Sequence, residues 1–345
     1  MKIVADDKIP YLRGLLEPVA QEVMYVPGSD TTGDMIKDAQ VLLTRTRTRC
    51  NRELLAGSRV EMIGTATIGT DHIDLDYCRD NGIEVASAPG CNAPAVAQWV
   101  HASILRWLEA RHVSRRITLG VVGVGHVGSI VARWGHELGY RVLLNDPPLC
   151  NKIAMGQALQ PQCTSDVPLA FSSLSTLQRE CDIITFHTPL THDGPYPTYH
   201  LVDKSFLAGL ERCRLIMNAA RGAVLDTTAA LQWHGDLAID CWEKEPDINL
   251  NLLEKAIVAT PHIAGYSVQG KQRGTAMIIE ALNRRYGWDV EPPAASTPLL
   301  GAAHVSPSMI LESYDPCVDT LNLKSSPSTF ETQRNTYNLR QEVCP

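Results

Sequence analysis

Aromatic residues are scarce in this chain of 345 residues, since only 6% are Phe, Trp or Tyr and phenylalanine occurs four times. Hydrophobic residues nevertheless make up 44% of the sequence, so aliphatic and small side chains must form most of the core. A chain of this length can bury a sizeable core and favours two domains, with room for a small third.

Three further features are missing, and each excludes a class of protein. No apolar run approaches the ~20 residues that span a bilayer, and Asp6 and Asp7 stand where a signal peptide would be apolar, so we expect a cytoplasmic protein without a membrane partner. The net charge of -7 comes from mixed signs without a basic block, which argues against nucleic acid as a partner. The ten cysteines show neither a Cys-x-x-Cys pair nor zinc-ligand spacing, so we expect reduced thiols and no metal site.

Short apolar runs alternate with amphipathic stretches along most of the chain, and this rhythm predicts parallel sheets. The rhythm stops at a long helical pattern over about 93–110, restarts, and stops again at a second one over about 268–286. The sequence therefore predicts an α/β fold with two Rossmann-like, doubly wound parallel-sheet domains. The predicted strands are Ile3–Ala5, Val41–Leu43, Glu61–Gly64, Ile83–Val85, Ile117–Val122, Val142–Leu144, Asp182–Phe186, Leu215–Met217, Leu237–Ile239 and Ile257–Ala259.

A glycine-rich motif follows the first strand of the second predicted domain. Gly123, Gly125 and Gly128 form G-x-G-x-x-G between a β-branched strand and a helical pattern. In that context the first glycine permits a tight turn, the second lets the backbone approach a pyrophosphate, and the third allows close helix–strand packing. The helix N-terminus offers unpaired N–H groups to the anion. The motif alone is weak, because glycines also cluster in ordinary turns.

Asp146 strengthens the prediction of a dinucleotide site. It ends the next strand at about the ~20-residue offset at which a carboxylate binds the hydroxyls of the adenosine ribose. A 2′-phosphate would face that charge, so the predicted cofactor is NAD. The alternative is an aspartate that merely ends a strand in a Pro-directed turn. A further strand ends in His187 and Thr188, and we expect Thr188 to line the nicotinamide pocket.

Three more segments place a polar residue just beyond an apolar strand, which is where ligands of open α/β sheets bind. They supply Arg221, Glu245 and His262. Oxidation of a 2-hydroxy acid needs a base for the hydroxyl proton, and histidine has the pKa for that task in both directions. A carboxylate on its far nitrogen fixes the tautomer, which we predict for Glu245. Arginine grips a carboxylate in two places, which we predict for Arg221.

Each of these three residues also has a purely structural interpretation. Arg221 could cap a helix, Glu245 could be a solvated loop charge, and His262 could be a buried histidine with satisfied hydrogen bonds. Their shared position at strand ends, after a dinucleotide motif, favours the catalytic interpretation.

With these residues in place, the sequence resembles the D-isomer-specific 2-hydroxyacid dehydrogenase family over about residues 1–290. The segments that carry the resemblance are GTATIGTDH at 64–72, APGCNA at 88–93, DPP at 146–148, FHTPL at 186–190 with DGPY at 193–196, and PHIAGY at 261–266 with GK at 270–271. The tail, with Phe330, Glu331, Arg334, Tyr337, Arg340 and Glu342, looks like a C-terminal dimerisation module of that family. The resemblance therefore implies a homodimer.

The resemblance also implies roles for individual residues. Arg221, Glu245 and His262 would be catalytic, with His262 the proton donor in the reducing direction. NAD would contact His126, Val127, Asp146, Thr188, Ala219, Ala220, Arg221, Asp240 and Gly265, in addition to the motif glycines. Thr46, Thr67 and Tyr266 fall where substrate binds, and the substrate would be a small phosphorylated 2-hydroxy acid.

A phosphate group needs positive charge, and the segment 44–49 offers three arginines interleaved with threonines just after a strand. We therefore expect Arg45 to bind substrate together with Thr46. The alternative is an alternating edge strand whose arginines lie in solvent. For Arg47 and Arg49 this alternative is as well supported as a role in binding phosphate.

The predicted organisation is a discontinuous substrate-binding domain over 1–95 and 267–288, an NAD-binding domain over 96–266, and a C-terminal module over 289–345. Within the module, 292–328 shows little helical period and 330–343 a helical one. Between Asp226 and Asp240 the chain is shorter than the family pattern, so we expect a clipped helix there. Two alternatives remain: another family member, acting on D-3-phosphoglycerate or a simple D-hydroxy acid, and a non-catalytic NAD-sensing module.

Overall fold

A computed structural model describes residues 1–157, 170–294 and 305–343. The chain forms two compact units, which are Met1–Asn92 with Ser267–Thr297, and Ala93–Tyr266 with Pro298–Pro345. The predicted α/β class with two parallel-sheet domains is confirmed. The predicted boundaries at 95 and 289 stay a prediction, because compactness alone does not define an independently folding domain.

The first unit is built on a five-stranded parallel sheet in the order β2-β1-β3-β4-β5. Its strands are β1 (Lys2–Asp6), β2 (Glu22–Val26), β3 (Val41–Thr44), β4 (Met62–Thr65) and β5 (Glu84–Ala86). Its helices are α1 (Gly33–Ile36), α2 (Arg52–Leu55), α3 (Leu75–Asp80) and α11 (Val268–Tyr286). The apolar side chains of α11 pack on β1 and β3 in one core cluster.

Strand order in the first unit reverses between β1 and β3. In open α/β sheets, ligands bind outside the carboxyl ends of the strands at such a switch point. The loops that flank it begin at Asp7 and at Arg45. Because β3 lies inside the sheet and ends at Thr44, the alternative of an edge strand over 44–49 is wrong.

The second unit contains a six-stranded parallel sheet in the order β11-β10-β9-β8-β6-β7. Its strands are β6 (Thr118–Val122), β7 (Arg141–Asn145), β8 (Ile183–Phe186), β9 (Leu215–Asn218), β10 (Asp236–Ile239) and β11 (Val258–Ala259). An isolated parallel bridge joins Leu144 to Phe171 beyond β7. Phe171 thus pairs where the third strand of a dinucleotide-binding sheet would lie, and the strand order places the switch point between β6 and β8.

The helices of the second unit pack on its sheet in two core clusters. The longest of those before the C-terminal segment is α4, in which every residue from Ala93 to Ile104 is buried. The helices of this unit are α4 (Ala93–Ala110), α5 (His126–Glu137), α6 (Pro147–Ala154), α7 (Leu174–Glu180), α8 (Lys204–Ala208), α9 (Thr227–Gln232), α10 (Leu250–Lys255), α12 (Pro307–Ser313), α13 (Pro316–Ser325) and α14 (Phe330–Asn335). Among the described residues, none of the helices is both long and apolar enough to cross a membrane.

The C-terminal segment differs from its predicted secondary structure. Within 292–328, which shows little helical period, Ser306 and Asp315 cap α12 and α13, and each helix begins with proline. Proline is well suited to a first helical position, so these residues start helices rather than prevent them. The helix predicted over 330–343 ends at Asn335, because Thr336, Tyr337 and Asn338 are weak helix formers. The described residues of the tail, among them Val305, Ile310, Tyr314 and Val343, pack in one core cluster with α4.

The shortened segment between Asp226 and Asp240 still forms a helix and a paired strand. Helix α9 has six residues, and Lys255 donates hydrogen bonds to the carbonyls of Ala230, Leu231 and Trp233 at its C-terminal end. Strand β10 pairs with β9 at four successive positions, and the amide of Asp240 donates to the carbonyl of Asn218 at 3.0 Å. The strand that leads to Asp240 therefore keeps its parallel register.

Candidate functional site

The glycine motif forms a tight turn between β6 and α5. Gly123 has a φ of +86°, which favours glycine. A Cβ on Gly128 would lie 1.9 Å from the carbonyl oxygen of Gly123, so only glycine fits there. A Cβ on Gly125 would meet nothing within 4 Å. The turn is thus closely packed at Gly123 and Gly128 and open at Gly125, as a pyrophosphate cradle requires.

Asp146 holds this turn in place as well as ending β7. One carboxylate oxygen accepts from the amide of Val124 at 2.8 Å, and the other caps α6 by accepting from the amide of Leu149 at 2.9 Å. Asp146 therefore has the structural role at the end of a strand that the alternative interpretation gave it. Each oxygen keeps acceptor capacity, so these bonds leave room for a ribose hydroxyl.

Thr188 lies just beyond β8, on the other side of the switch point. Its hydroxyl oxygen is buried, and no side chain or backbone group in the described part of the chain bonds to it. An unpaired buried hydroxyl suggests a ligand that completes its hydrogen bonding. The neighbouring His187 bonds to Thr185 at 3.0 Å, and burial lowers its pKa to about 3. His187 is thus a neutral structural histidine, whereas Thr188 fits a ligand-binding role.

His262 and Glu245 form a hydrogen-bonded pair, with 2.5 Å between Nδ1 of His262 and Oε1 of Glu245. The second oxygen of Glu245 accepts from the amide of Trp242 at 3.2 Å. Both side chains are about a quarter exposed, at 28% and 24%. His262 has a φ of +55°, a region that side-chain-bearing residues rarely adopt. Such strain is typical of functional sites.

The surroundings shift the pKa of both members of the pair. Burial opposes charge on the His262 ring, but its contacts with Cys241 and Glu245 outweigh burial and hold its pKa well above 6.5. Burial alone would raise the pKa of Glu245, yet its hydrogen bonds and the nearby Arg334 hold that pKa below its usual value. Burial raises the pKa of Cys241, so its thiol is neutral and the stabilising charge is that of Glu245.

Asp240 organises the loop that carries His262. Its Oδ1 accepts hydrogen bonds from the hydroxyl of Thr260 at 2.6 Å and from the amides of Ile263 and Ala264 at 2.8 and 3.0 Å. Trp99, on α4, donates to the same Thr260 hydroxyl at 3.0 Å. The buried aspartate therefore fixes the backbone immediately after His262.

Arg221 enters the site on a loop that packs closely against the segment before Glu245. A Cβ on Gly222 would lie 2.0 Å from the carbonyl oxygen of Trp242, so this approach needs glycine. The amide of Ala220 donates to Oδ1 of Asn218 at 3.1 Å, and Nη1 of Arg221 donates to the carbonyl of Ala220 at 2.9 Å. The structure thus brings the loops of Arg221, Glu245 and His262 together at the carboxyl ends of β9, β10 and β11.

Sequence reasoning missed Cys241. The structure places ligand atoms of Asp240, Cys241 and His262 within 4.8 Å of one another, a set that could in principle hold a metal ion. Spacing along the chain does not reveal it, because Cys241 and His262 are 21 positions apart. We assign these atoms to hydrogen bonding instead, since Oδ1 of Asp240 already accepts three bonds and Sγ of Cys241 lies 3.5 Å from the Ala220 carbonyl.

The predicted substrate residues lie in both units. In the first unit, Arg45 is half-buried with Nη1 3.3 Å from the carbonyl of Lys8, and Thr46 is exposed beside it. Thr67, after β4, bonds to Thr65 at 2.7 Å. In the second unit, Tyr266 ends the His262 loop, and its ring lies edge-on to that of Tyr337 with centroids 6.1 Å apart. The first-unit residues share the carboxyl edge of one sheet.

These features define a dinucleotide-dependent dehydrogenase with a histidine–carboxylate pair. The chain matches the D-isomer specific 2-hydroxyacid dehydrogenase catalytic domain over residues 3–343, and it belongs to that family. The family resemblance is therefore confirmed. Enzymes of this family use NAD.

Two relatives support the same assignment, and one solved structure has a similar fold. The chain is 45% identical to erythronate-4-phosphate dehydrogenase of Bacteroides thetaiotaomicron, over 99% of this chain and 97% of that protein. It is 41% identical to the enzyme of that name from Porphyromonas gingivalis, over 99% and 94%. The fold is similar to that of a D-lactate dehydrogenase from Aquifex aeolicus solved with NAD and lactic acid, with a TM-score of 0.64 and 24% identity over 83% of this chain and 96% of that one.

Proposed function

We propose that this protein catalyses the NAD-dependent oxidation of 4-phospho-D-erythronate to 2-oxo-3-hydroxy-4-phosphobutanoate, a step in the synthesis of pyridoxal 5′-phosphate (vitamin B6). The observation that carries the proposal is the His262–Glu245 pair, bonded at 2.5 Å on the sheet that also bears the glycine turn. The 45% identity with an erythronate-4-phosphate dehydrogenase over nearly the whole chain supports this substrate.

Three residues of the second unit carry the proposed chemistry. His262 accepts the proton of the substrate's 2-hydroxyl group and returns it in the reverse direction. Glu245 holds the imidazole in one tautomer and stabilises its protonated form. Arg221 binds the substrate carboxylate and polarises the adjacent carbon–oxygen bond. NAD, when bound, accepts the hydride that leaves carbon 2.

The residues at the glycine turn fit a dinucleotide. Gly123, Gly125, Gly128 and the first residues of α5, His126 and Val127, would cradle the pyrophosphate at a helix N-terminus. Asp146 would bind the adenosine ribose, and the unpaired hydroxyl of Thr188 would meet the nicotinamide end. Ala219, Ala220, Arg221, Asp240 and Gly265 lie on the strand-end loops and would contact the same cofactor.

A phosphorylated substrate needs a cation distinct from Arg221. Arg45 stands at the switch point of the first sheet, with the hydroxyls of Thr46 and Thr67 at the same edge. We assign the substrate phosphate to this edge and the phenol of Tyr266 to the substrate as well. This assignment separates the proposed enzyme from relatives that act on simple D-hydroxy acids.

The deciding experiment follows NADH formation with 4-phospho-D-erythronate, 3-phospho-D-glycerate and D-lactate, in both directions because the equilibrium can oppose oxidation. We expect a clear preference for the four-carbon phosphate. Equal or better use of another acid would keep the dehydrogenase and reject this substrate. Binding of NADH without turnover of any of the three acids would favour the NAD-sensing module.

The activity should depend on pH through His262. Because its pKa is raised, oxidation should slow as the pH falls through that value, where the base becomes protonated. Reduction should slow as the pH rises through it. Glu245→Gln removes the charge that stabilises protonated His262, so the pKa of His262 should fall. The pH at which oxidation begins to slow should therefore also be lower in this variant. Profiles of kcat/KM in both directions measure this, and an unmoved limb in the variant would contradict the role of Glu245.

Asp146 should determine the choice between NAD and NADP. Asp146→Ala should weaken NAD binding and relax discrimination against NADP, because the repulsion of a 2′-phosphate is lost. The lost cap of α6 should also lower stability by about 0.5–2 kcal/mol. Asp203→Ala, which removes a similar cap from α8, is the control for stability alone. Unchanged cofactor preference in steady-state kinetics would refute the assignment.

We also assign a homodimer and a cytoplasmic location to the enzyme. The C-terminal α13 exposes Val318 and Leu321, which are 58% and 69% exposed and three residues apart on one helix face. An apolar helix face of this kind fits contact with a second copy of the chain. The cysteines at described positions carry free thiols, the state that a reducing compartment maintains.

Substitution of the exposed face should therefore separate the subunits. Leu321→Glu should convert a dimer to a monomer, as measured by light scattering after size-exclusion chromatography. Leu250→Glu, on α10, changes a 57% exposed leucine elsewhere and should leave the mass unchanged. A Leu321→Glu protein with the mass of the parent would exclude this face from the interface.

A further inference from the structure

Arg340 is a buried arginine in the C-terminal segment, and each of its five N–H groups faces an acceptor. The guanidinium therefore has no unused donor. The acceptors are Oε1 of Gln98 at 3.1 Å and the carbonyl oxygens of Ile263 at 3.0 Å, Tyr266 at 3.2 Å, Ala95 at 3.0 Å and Ala264.

Three of these acceptors belong to the loop that follows His262. The amides of Ile263 and Ala264 donate to Asp240, and the carbonyls of the same two residues accept from Arg340. Two successive residues are thus held between an acid on their N–H side and a guanidinium on their C=O side. This arrangement restrains the backbone at the point where His262 takes its positive φ.

The tail is itself anchored to α4, so the restraint has a rigid support. Gln98 accepts from Arg340 and donates to the carbonyl of Gln341 at 3.1 Å and to the hydroxyl of Ser313 at 2.8 Å. The guanidinium also lies over the ring of Tyr314, 4.2 Å from its centroid. These groups place Arg340 by contacts on several sides.

We propose that Arg340 is a positioning residue for His262, by which the C-terminal segment keeps the imidazole aligned with Glu245. The proposal rests on the proton-transfer role given to His262 in the proposed function. Arg340 touches the loop backbone and acts on the reaction through His262. A lysine cannot replace it, because an ammonium group has three donors at one point rather than five in a planar fork.

The test compares Arg340→Lys and Arg340→Met with the unchanged full-length protein. Misplacement of a catalytic group by about 1 Å costs roughly 100-fold, so we expect kcat to fall by about that factor in both variants while KM for NAD changes little. The oxidation limb of the pH profile should move to lower pH, because His262 loses part of its contact with Glu245. Lys324→Met changes a half-buried residue of the tail that donates to the carbonyl of Glu254 and not to the His262 loop, so it should leave all three quantities unchanged.

A second readout needs no turnover. NMR titration of the His262 ring, assigned by its disappearance in His262→Ala, should give a lower pKa in Arg340→Lys than in the parent. If Arg340→Met fails to fold, Arg340→Lys and Gln98→Leu decide the question, since Gln98→Leu removes one acceptor and the anchor of the tail. Parental kcat and ring pKa in Arg340→Lys would overturn the proposal. If the parent does not oxidise 4-phospho-D-erythronate, the ring titration still tests the positioning of His262.

Discussion

Replacement of His262 by alanine should lower kcat by about 10²–10⁴-fold, the usual contribution of a general acid–base residue. NADH should bind nearly as well as before, because the ring is assigned to proton transfer and not to holding the cofactor. The loss should appear in both reaction directions, since one group serves as base in oxidation and as acid in reduction. Steady-state rates together with fluorescence titration of NADH separate these two effects.

The chain offers a matched control for this experiment. His200 also pairs with a glutamate, at 2.8 Å from Glu243, on a neighbouring loop. Glu243 in turn accepts from the amide of Thr227 at the start of α9, so that pair has a structural role. His200→Ala should retain most of the activity. A His262→Ala protein that keeps most of its turnover would refute the proton-transfer role.

Substitution of Gly128 by alanine should unfold or severely weaken the nucleotide turn. The new methyl group would overlap the carbonyl oxygen of Gly123, at 1.9 Å, and a backbone atom cannot rotate away as a side chain can. Overpacking of this kind costs about 1–3 kcal/mol and occasionally more. We expect a clearly lower Tm and a loss of NADH binding, measured by thermal denaturation and by fluorescence titration.

Gly125→Ala is the informative partner, because a methyl group there would meet nothing within 4 Å of the protein. Its Tm should stay close to the parental value. NADH affinity should nevertheless fall, because the second glycine lets the backbone approach the pyrophosphate. If Gly125→Ala binds NADH normally, the cradle does not lie at this turn, whatever the fate of Gly128→Ala.

Local patterns were sufficient for the elements whose ends are marked in the sequence. Helix α11 runs from a Ser267 cap to Gly287 in the left-handed conformation, and its predicted limits match. The glycine turn was equally recognisable, because the reasons for glycine at its three positions all lie at the turn itself. Strand β2 was missed because it is an edge strand in which only Val26 is buried, so its apolar pattern is weak.

Other features depend on contacts between distant parts of the chain and leave no local mark. Cys241 reaches His262 only because β10 and β11 are neighbours in the sheet. The acceptors of Arg340 lie 74 to 77 residues away in one loop and 242 and 245 residues away on α4. The sequence indicated which residue types the chemistry needs, whereas the groups that hold them became visible only in three dimensions.

Asp240 and Arg340, which both bond to the backbone of the His262 loop, are synthesised at different times. Asp240 precedes its loop partners by 23 and 24 residues, whereas Arg340 follows its partners in that loop by 74 to 77. At a synthesis rate of roughly 5–20 residues per second, the loop waits about 4–15 seconds on the ribosome for its second restraint. On the proposed role of Arg340, the last restraint on the proton relay therefore belongs to the last part of the chain to be made.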